Sequence, residues 1–339
     1  MLTGTSMVLN RIASIEENPL KQEDRSIPQP GSKQILIKVS ACGICHTELD
    51  EIEGRLIPRL PVVPGHEIIG RVVKSGANAG RFKLGDRVGV AWINSACGKC
   101  YFCMNGNENL CAKFKATGCD VDGGYGEYAV VLEDFAYKIP ERFTDAQAAP
   151  LMCAGAIGYR ALKLTDLKNG ENIGLYGFGA SAHIVIQMVK YRYPDSNVFV
   201  FTKNRDDLAG RLARKMGADW TGVTGDTPPE KLHRVIDTTP VGIPVQEALR
   251  NLEKGGKLVI NLIRKETPIP ELNYTEHLWY EKEIKSVTNI TRNDVEEFLP
   301  LACEIPITSK IREFKLKDAN HALNLLKKGK YQGAGVLKI

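Results

Sequence analysis

A glycine turn between a strand-like and a helix-like segment restricts the possible folds of this 339-residue chain more than any other feature. An apolar run at 173–176 precedes the turn and a helix-like run at 184–189 follows it; the turn contains Gly177, Gly179, Ala180 and Ala182. Glycines at this spacing allow a close approach of the backbone to a pyrophosphate, whose charge then lies at the helix N-terminus. Alanine is accepted at the third glycine position. The context therefore predicts a dinucleotide-binding α/β unit.

Strand-like and helix-like segments alternate from about residue 172 to residue 288. This rhythm predicts a doubly wound parallel sheet with ligands at the carboxyl ends of its strands. The first part of the chain differs, because short strand-like runs at 34–39, 68–73 and 82–90 are separated by glycine turns and favour a barrel-like β domain. We expect the last 40 or so residues to rejoin that first domain.

The end of the second strand in the α/β unit bears on the choice of cofactor. An NAD-selective site usually has an acidic residue here for the ribose 2′-hydroxyl. This chain has Thr202, followed by Lys203 and Arg205. Two cations without the carboxylate favour a 2′-phosphate, so the sequence slightly favours NADP over NAD. The alternative is a pair of solvated basic residues before the next helix.

Four cysteines form the most specific motif of the chain: Cys97, Cys100, Cys103 and Cys111. Two-residue gaps and one short loop allow these thiolates to wrap a single tetrahedral ion. Four thiolates leave no open position, so the motif predicts a structural zinc site. Unrelated buried thiols and an iron–sulfur cluster are the alternatives. A nucleic-acid-binding zinc ribbon is disfavoured, because few basic residues lie between the ligands.

A second group of metal-binding residue types lies within 42–67. Cys45 and His66 offer the sulfur and nitrogen ligands that Zn²⁺ prefers, and Thr47 places a hydroxyl two residues after the cysteine. Two protein ligands do not complete a site. Cys153, in a stretch of small residues, could supply a third, although a lone cysteine is more often a buried apolar residue.

Composition argues against several classes of function. The net charge of +5 is mild and the basic residues are dispersed, so neither a nucleic acid nor a membrane surface is indicated as a partner. No apolar run is long enough to span a bilayer, and the N-terminus lacks the pattern of a signal peptide. We therefore expect a cytoplasmic protein whose nine cysteines are metal ligands and free thiols.

Taken together, these motifs make the chain resemble the zinc-dependent medium-chain alcohol dehydrogenases over essentially its whole length. The motifs that carry the resemblance are Cys45-His46-Thr47-Glu48, Pro64-Gly65-His66-Glu67, the four cysteines, Cys153, the glycine turn and the closing Gly-Val-Leu-Lys-Ile. The resemblance implies a GroES-like catalytic domain over 1–155, with a structural zinc lobe at 94–113. It also implies a Rossmann domain over 156–299, a return to the catalytic domain over 300–339, and an active site in the cleft between the domains.

The resemblance assigns the ligands of a catalytic zinc to Cys45, His66 and Cys153. Glu67 would be a carboxylate that can transiently coordinate the metal, and Glu48 would orient His66. Thr47 would pass the alcohol proton towards the cofactor ribose. The open fourth position on the zinc would take the substrate oxygen.

Ile52 and Trp92 would line an apolar substrate pocket, and Arg292 would approach the cofactor pyrophosphate. The sequence departs from the family pattern at three positions. Glu48 replaces an aspartate, and Ile157 stands where a threonine often contacts the nicotinamide. Asp50 replaces the histidine at the end of the proton relay, so the relay ends either in Asp50 or in water.

The expected activity is reversible hydride transfer between NAD(P) and a small-molecule alcohol or aldehyde, primary or aromatic. Two Zn²⁺ per chain and a homodimer or homotetramer are expected, with a strand near 286–290 as the contact edge. One alternative is a dinucleotide-binding protein that has lost catalysis and has a structural or regulatory role. Another is a zinc-free quinone or enoyl reductase of the same superfamily, which would not need these ligands.

Overall fold

The computed structural model describes residues 2–205 and 207–339. The strands of this part of the chain are β1 (Thr3–Leu9), β2 (Leu20–Ser26), β3 (Gln34–Ile44), β4 (Ile68–Ser75), β5 (Arg87–Val90), β6 (Ile93–Ser95), β7 (Lys115–Ala116), β8 (Tyr128–Leu132), β9 (Ala136–Lys138), β10 (Ile173–Tyr176), β11 (Val198–Thr202), β12 (Trp220–Val223), β13 (Leu232–Asp237), β14 (Leu252–Ile260), β15 (Glu283–Ser286), β16 (Ile311–Lys315) and β17 (Ala334–Lys338).

The α-helices of the same residues are α1 (His46–Ile52), α2 (Tyr101–Met104), α3 (Asp145–Ala148), α4 (Ala154–Thr165), α5 (Ala182–Arg192), α6 (Leu208–Lys215), α7 (Ile243–Asn251), α8 (Tyr274–His277), α9 (Arg292–Glu304) and α10 (Ala319–Lys327). Short 3₁₀ turns occur at Ile15–Glu17, Glu108–Leu110, Glu133–Phe135, Ala149–Met152 and Leu316–Asp318. No helix within 2–205 and 207–339 is both long and apolar enough to cross a membrane.

The chain divides into two compact units. Unit 1 comprises the chain up to Cys153, together with Asn289–Cys303 and Thr308–Ile339, and unit 2 comprises Ala154–Thr288 and Glu304–Ile307. The chain thus first passes from unit 1 to unit 2 between Cys153 and Ala154, two residues before the predicted limit at 155/156. The return comes well before the predicted limit at 299/300, at Asn289, so that most of α9 belongs to unit 1. Glu296 of this helix forms an ion pair with Arg81.

Unit 1 contains a mainly antiparallel sheet in the order β16-β17-β3-β4-β5-β9, with β8 also paired to β3. The long β3 pairs antiparallel with β4 in a register that puts Cys42 opposite Ile68. The backbone N–H of Gly43 also donates to the carbonyl of Glu67 at 3.0 Å. The end of β3 and the start of β4 therefore lie side by side, which brings the residues after β3 close to those before β4.

Unit 2 contains a six-stranded sheet in the order β12-β11-β10-β13-β14-β15, and every neighbouring pair in it is parallel. All residues of β10 and β11 are buried, as expected for central strands of a parallel sheet. The rings of Tyr176 and Phe201 stack at a centroid distance of 4.1 Å in the core of the unit. The predicted parallel, doubly wound sheet is confirmed.

Candidate active site

Four potential ligands from three separate segments converge in unit 1. They are Cys45, His66, Glu67 and Cys153, and one ligand atom from each lies within 4.8 Å of all the others. Cys45 follows β3, while His66 and Glu67 precede β4, so the pairing of these two strands brings them together. Cys153 is the last residue before α4. The sulfur, nitrogen and oxygen atoms of this cluster could hold one metal ion.

Local backbone geometry determines where the cluster residues lie. Cys45 is the N-cap of α1, and the Glu48 Oε2 atom accepts a hydrogen bond from its backbone N–H at 2.7 Å. Gly65 before His66 has a φ of +98°, and a Cβ atom there would lie 2.3 Å from the Tyr125 ring. The turn that presents His66 therefore requires glycine, because a side chain would be both strained and obstructed.

Glu48 lies directly against His66. Its Oε1 atom is 2.5 Å from His66 Nδ1, and both side chains are fully buried. No other described residue meets either of these two atoms in hydrogen-bond geometry, so each is the partner of the other. With Nδ1 occupied in this way, Nε2 is the ring nitrogen that remains for a metal. A carboxylate behind a ligating histidine orients the ring and raises its basicity.

Proton affinities within the cluster are strongly perturbed. A hydrogen bond from the Cys153 thiol, aided by His66, holds the pKa of Cys45 well below its usual range. The same contact raises the pKa of Cys153. Burial alone would lower the pKa of His66, but Glu48 and Cys45 outweigh this effect and raise it. Cys45 is thus the thiol that ionises first, and a bound cation would displace protons from the other ligands.

Glu67 is a buried carboxyl with an atom that lacks a partner. Its Oε2 has no hydrogen-bond partner among the described residues, and burial raises the pKa of this carboxyl well above its usual range. The carboxyl packs over the backbone of Gly43, where a Cβ atom would lie 1.7 Å from Oε2. An orphaned buried oxygen beside two thiols and an imidazole fits a site for a cation.

The two residues of the predicted proton relay have different surroundings. The Thr47 hydroxyl oxygen lies 3.6 Å from Cys45 Sγ, at the edge of the ligand cluster. The buried Asp50 accepts a hydrogen bond at 2.5 Å from Nε of Arg55, which also contacts Glu53. Sequence reasoning missed this guanidinium partner of Asp50.

The four cysteines of the second motif also converge, with one sulfur from each within 4.8 Å of the others. The backbone N–H of Cys100 donates to Cys97 Sγ at 3.3 Å, and the N–H groups of Cys97 and Lys113 donate to Cys111 Sγ at 3.4 and 3.3 Å. Backbone N–H groups lower the pKa of Cys97 to about 6, whereas burial raises that of Cys103 to about 12. All nine cysteines of the chain are free.

Trp92 lies beside the ligand cluster. Its ring centroid is 6.3 Å from that of His66 and 5.5 Å from that of Phe114. Ile52 is fully buried at the end of α1. Sequence reasoning missed Glu51, which is also buried in this part of unit 1. Its position in a run of acidic residues gave no signal that it would be enclosed.

The glycine turn of unit 2 leads from β10 into α5. Gly177 has a φ of +83°, and a Cβ atom there would lie 2.7 Å from Thr238 Oγ1. Gly179 faces open space, and no side chain caps the N-terminus of the 11-residue α5, which begins at Ala182 after Ala180 and the N-cap Ser181. A helix N-terminus that directly follows an open glycine turn suits a pyrophosphate.

Of the residues predicted to distinguish NADP from NAD, one already has an acidic partner. Thr202 is buried and its hydroxyl donates to the carbonyl of Asn204 at 3.0 Å. Lys203 is exposed. Arg205 is 71% exposed and forms an ion pair at 2.8 Å with Asp226. This carboxylate was not predicted, because it lies 21 residues further along the chain.

Arg292, predicted to approach the pyrophosphate, begins α9 in unit 1. Its backbone N–H and its Nε both donate to Glu108 Oε1, at 2.8 and 3.1 Å. Its guanidinium also lies 5.2 Å from the centre of the Phe135 ring. The two hydrogen bonds to Glu108 tie Arg292 to the segment that carries the four cysteines.

Comparison with known proteins identifies the family. The alcohol dehydrogenase GroES-like domain matches residues 31–141. A Mycobacterium tuberculosis (strain CDC 1551 / Oshkosh) protein named "Probable alcohol dehydrogenase AdhA" is 40% identical over 99% of this chain and 98% of its own length. An alcohol dehydrogenase from Geobacillus stearothermophilus is 33% identical over 95% of this chain and 97% of its own length.

Solved structures agree with this assignment. A cinnamyl alcohol dehydrogenase from Sorghum bicolor has a TM-score of 0.87 at 27% identity, covering 99% of this chain and 98% of its own. More distant structures, at 21–24% identity, are described as bound to NAD, to NADP(H), or to cobalt and zinc, and establish the shared fold. The chain belongs to the zinc-type medium-chain alcohol dehydrogenases. The predicted family is confirmed, as is the fold class of a GroES-like β-rich domain and a Rossmann domain.

Proposed function

We propose that this protein is a zinc-dependent dehydrogenase that transfers hydride reversibly between an alcohol, primary or aromatic, and NAD(P). The observation that supports this most is the convergence of Cys45, His66 and Cys153 from three segments of the chain. Two thiols and one imidazole match the donor types of catalytic zinc sites, which keep one position open. No member of this ligand set is missing, so nothing favours a protein that has lost catalysis.

The residues around the proposed zinc support its chemistry. When bound, zinc acts as a Lewis acid that lowers the pKa of an alcohol. Glu48 fixes the ring of His66 and increases its basicity through the contact at Nδ1. Glu67 holds a carboxyl oxygen within 4.8 Å of the other three ligand atoms, so it could serve as a further ligand of a bound zinc.

Thr47 is the proposed first acceptor of the alcohol proton, because its hydroxyl lies beside Cys45 Sγ and can accept one proton while donating another. We propose that the proton then passes to water. The carboxylate of Asp50 is already engaged in an ion pair with the Arg55 guanidinium. In this scheme Asp50 and Arg55 hold the end of α1 in place.

A second zinc is proposed at Cys97, Cys100, Cys103 and Cys111, giving two Zn²⁺ per chain. Backbone N–H groups already point at two of the four sulfur atoms and would stabilise thiolates. Four thiolates would fill the tetrahedral shell, so this ion would have a structural role.

For the cofactor, we propose that the turn at Gly177 and Gly179 binds the pyrophosphate and that NADP is slightly favoured. Lys203 and Arg205 would attract a 2′-phosphate. Asp226 reduces this preference, because it already neutralises part of the charge of Arg205. Equal kcat/KM for the two cofactors would contradict the proposed preference.

We also propose a homodimer or homotetramer that uses the edge of the unit 2 sheet. β15 is the last strand in the sheet order and all four of its residues are exposed. The exposed Trp279 and Tyr280 precede it. An uncovered edge strand is a ready template for pairing. The edge strand at Glu283–Ser286 shares only Ser286 with the contact edge that the sequence predicted at 286–290. Light scattering on the purified protein tests the assembly.

Metal analysis combined with a steady-state assay tests the proposed function. We expect about two zinc ions per chain, as the two ligand sets require, and reduction of NADP only when an alcohol is present. Cys45→Ser should abolish turnover. The matched control is Cys303→Ser, since Cys303 belongs to neither ligand cluster. Full activity after complete removal of both metals would contradict a zinc-dependent mechanism.

A further inference from the structure

Glu51 is a buried carboxyl that the proposed mechanism does not use. Only 1% of the residue is exposed, and neither Oε1 nor Oε2 has a hydrogen-bond partner among residues 2–205 and 207–339. A buried carboxyl without partners destabilises a folded protein, and such groups are rare unless a ligand or an ordered water completes them. The indole Nε1 of Trp92 is another buried atom that has no hydrogen-bond partner in the part of the chain that the structure describes.

The position of Glu51 connects it to the proposed site. It follows Thr47 by four residues on α1, so the two side chains lie on the same face of that helix. The Trp92 indole and the Cys119 thiol lie close enough to its carboxyl to affect its pKa, although neither meets it in hydrogen-bond geometry, and the charges of Glu48 and His66 also act on it. Trp92 in turn lies beside His66. Glu51 therefore borders both the ligand cluster and the wall of the predicted substrate pocket.

We propose that Glu51 determines substrate specificity by binding a second hydroxyl group, so that the preferred substrates are primary alcohols that carry another hydroxyl. This inference rests on the proposed function and narrows its substrate class.

A hydroxyl group satisfies both orphaned groups at once. It has one donor, which can bond to a carboxyl oxygen of Glu51, and lone pairs, which can accept from Trp92 Nε1. Burial, the main cause, raises the pKa of Glu51 well above its usual range, which favours an uncharged partner over an ammonium group. A purely apolar or aromatic substrate would leave both polar groups buried and unpaired, which disfavours its binding.

The test compares terminal diols with primary alkanols of equal carbon number. A terminal diol offers two equivalent ends, so chance alone gives about a twofold advantage in kcat/KM. We expect the natural protein to prefer diols by about tenfold or more, since the alkanol leaves polar groups unpaired. Glu51→Leu should reduce the ratio to about two, which is the statistical value. Glu51→Gln, whose amide both accepts and donates, should keep part of the preference.

The matched control is Glu53→Leu, the same substitution two residues further along. The Glu53 carboxylate is paired with Arg55 and Lys327, so its removal should lower Tm while leaving the substrate ratio unchanged. Glu51→Leu removes an unpaired buried carboxyl and should instead raise Tm. A structural role for Glu51 predicts the opposite, namely a lower Tm with an unchanged substrate ratio.

The outcomes separate this inference from the proposed function. If the natural protein is active but its diol-to-alkanol ratio of kcat/KM is near two, the inference is overturned and Glu51 binds only water. The dehydrogenase proposal is unaffected by that result. If no alcohol is oxidised, the proposed function fails. Binding can then still be measured through the fluorescence of Trp92, in comparison with a Trp92→Phe variant. Equal diol affinity in the natural protein and in Glu51→Leu would overturn the inference in that case.

Discussion

Glu48→Gln tests the most informative contact of the proposed zinc site. Glu48 Oε1 lies 2.5 Å from His66 Nδ1, while Oε2 accepts a hydrogen bond from the Cys45 backbone. The amide oxygen of glutamine can keep the bond to Cys45. The variant therefore removes the negative charge behind His66 with little change of shape, which isolates its effect on the metal.

The expected loss of zinc affinity is about 10- to 100-fold, the range found when a group behind a metal ligand is removed. This corresponds to roughly 1.4–2.8 kcal/mol of binding free energy. Both side chains are fully buried, so solvent should not weaken the contact, and the upper part of the range is expected.

Competition with a chromophoric chelator measures this change for each zinc ion separately. The proposed zinc at the four cysteines serves as an internal reference, since Glu48 is not part of that cluster. Glu48→Asp is the second variant, because it keeps the charge but shortens the side chain by one methylene. If Glu48→Gln bound zinc with the same affinity as the natural protein, Glu48 would not contribute to zinc binding at this site.

Three further outcomes are expected. Zinc affinity at the catalytic cluster should rise with pH, because the raised pKa values of His66 and Cys153 mean that protons compete with the metal up to a higher pH; a flat profile in the chelator assay would contradict this. Metal analysis of Cys97→Ser should show one zinc fewer per chain, and thermal unfolding should show a lower Tm, whereas Cys303→Ser should change neither value. Lys203→Ala should raise KM for NADP by about two- to fivefold, the scale of one exposed charge contact, and leave KM for NAD unchanged in steady-state kinetics.

Several features could be predicted from the sequence because their signals are local. The spacing of the four cysteines restricts them to one small segment, and their sulfur atoms do converge. The glycine turn is flanked directly by its strand and helix, so the alternating pattern correctly predicted the parallel sheet of unit 2. These motifs depend on neighbouring residues and little on the packing of distant segments.

The ligand set of the proposed catalytic zinc site could not be derived from the residue pattern, because it depends on the tertiary structure. Sequence alone left Cys153 as a lone cysteine, 87 residues after His66. The pairing of β3 with β4 brings Cys45 and His66 together, and the end of unit 1 adds Cys153. Strand register and the path of a distant segment are set by packing, so only the resemblance to a family could anticipate this set.

The acidic residues of α1 show the same distinction most clearly. In the sequence, Glu48, Asp50, Glu51 and Glu53 form one polar run that is typical of a solvated surface. In the structure their environments differ: Glu48 faces His66, Asp50 and Glu53 pair with Arg55, and the buried Glu51 has no hydrogen-bond partner among the described residues. The type of residue is set by the sequence. Its role in the site depends on which neighbouring segments enclose it, and this is decided only when the chain folds.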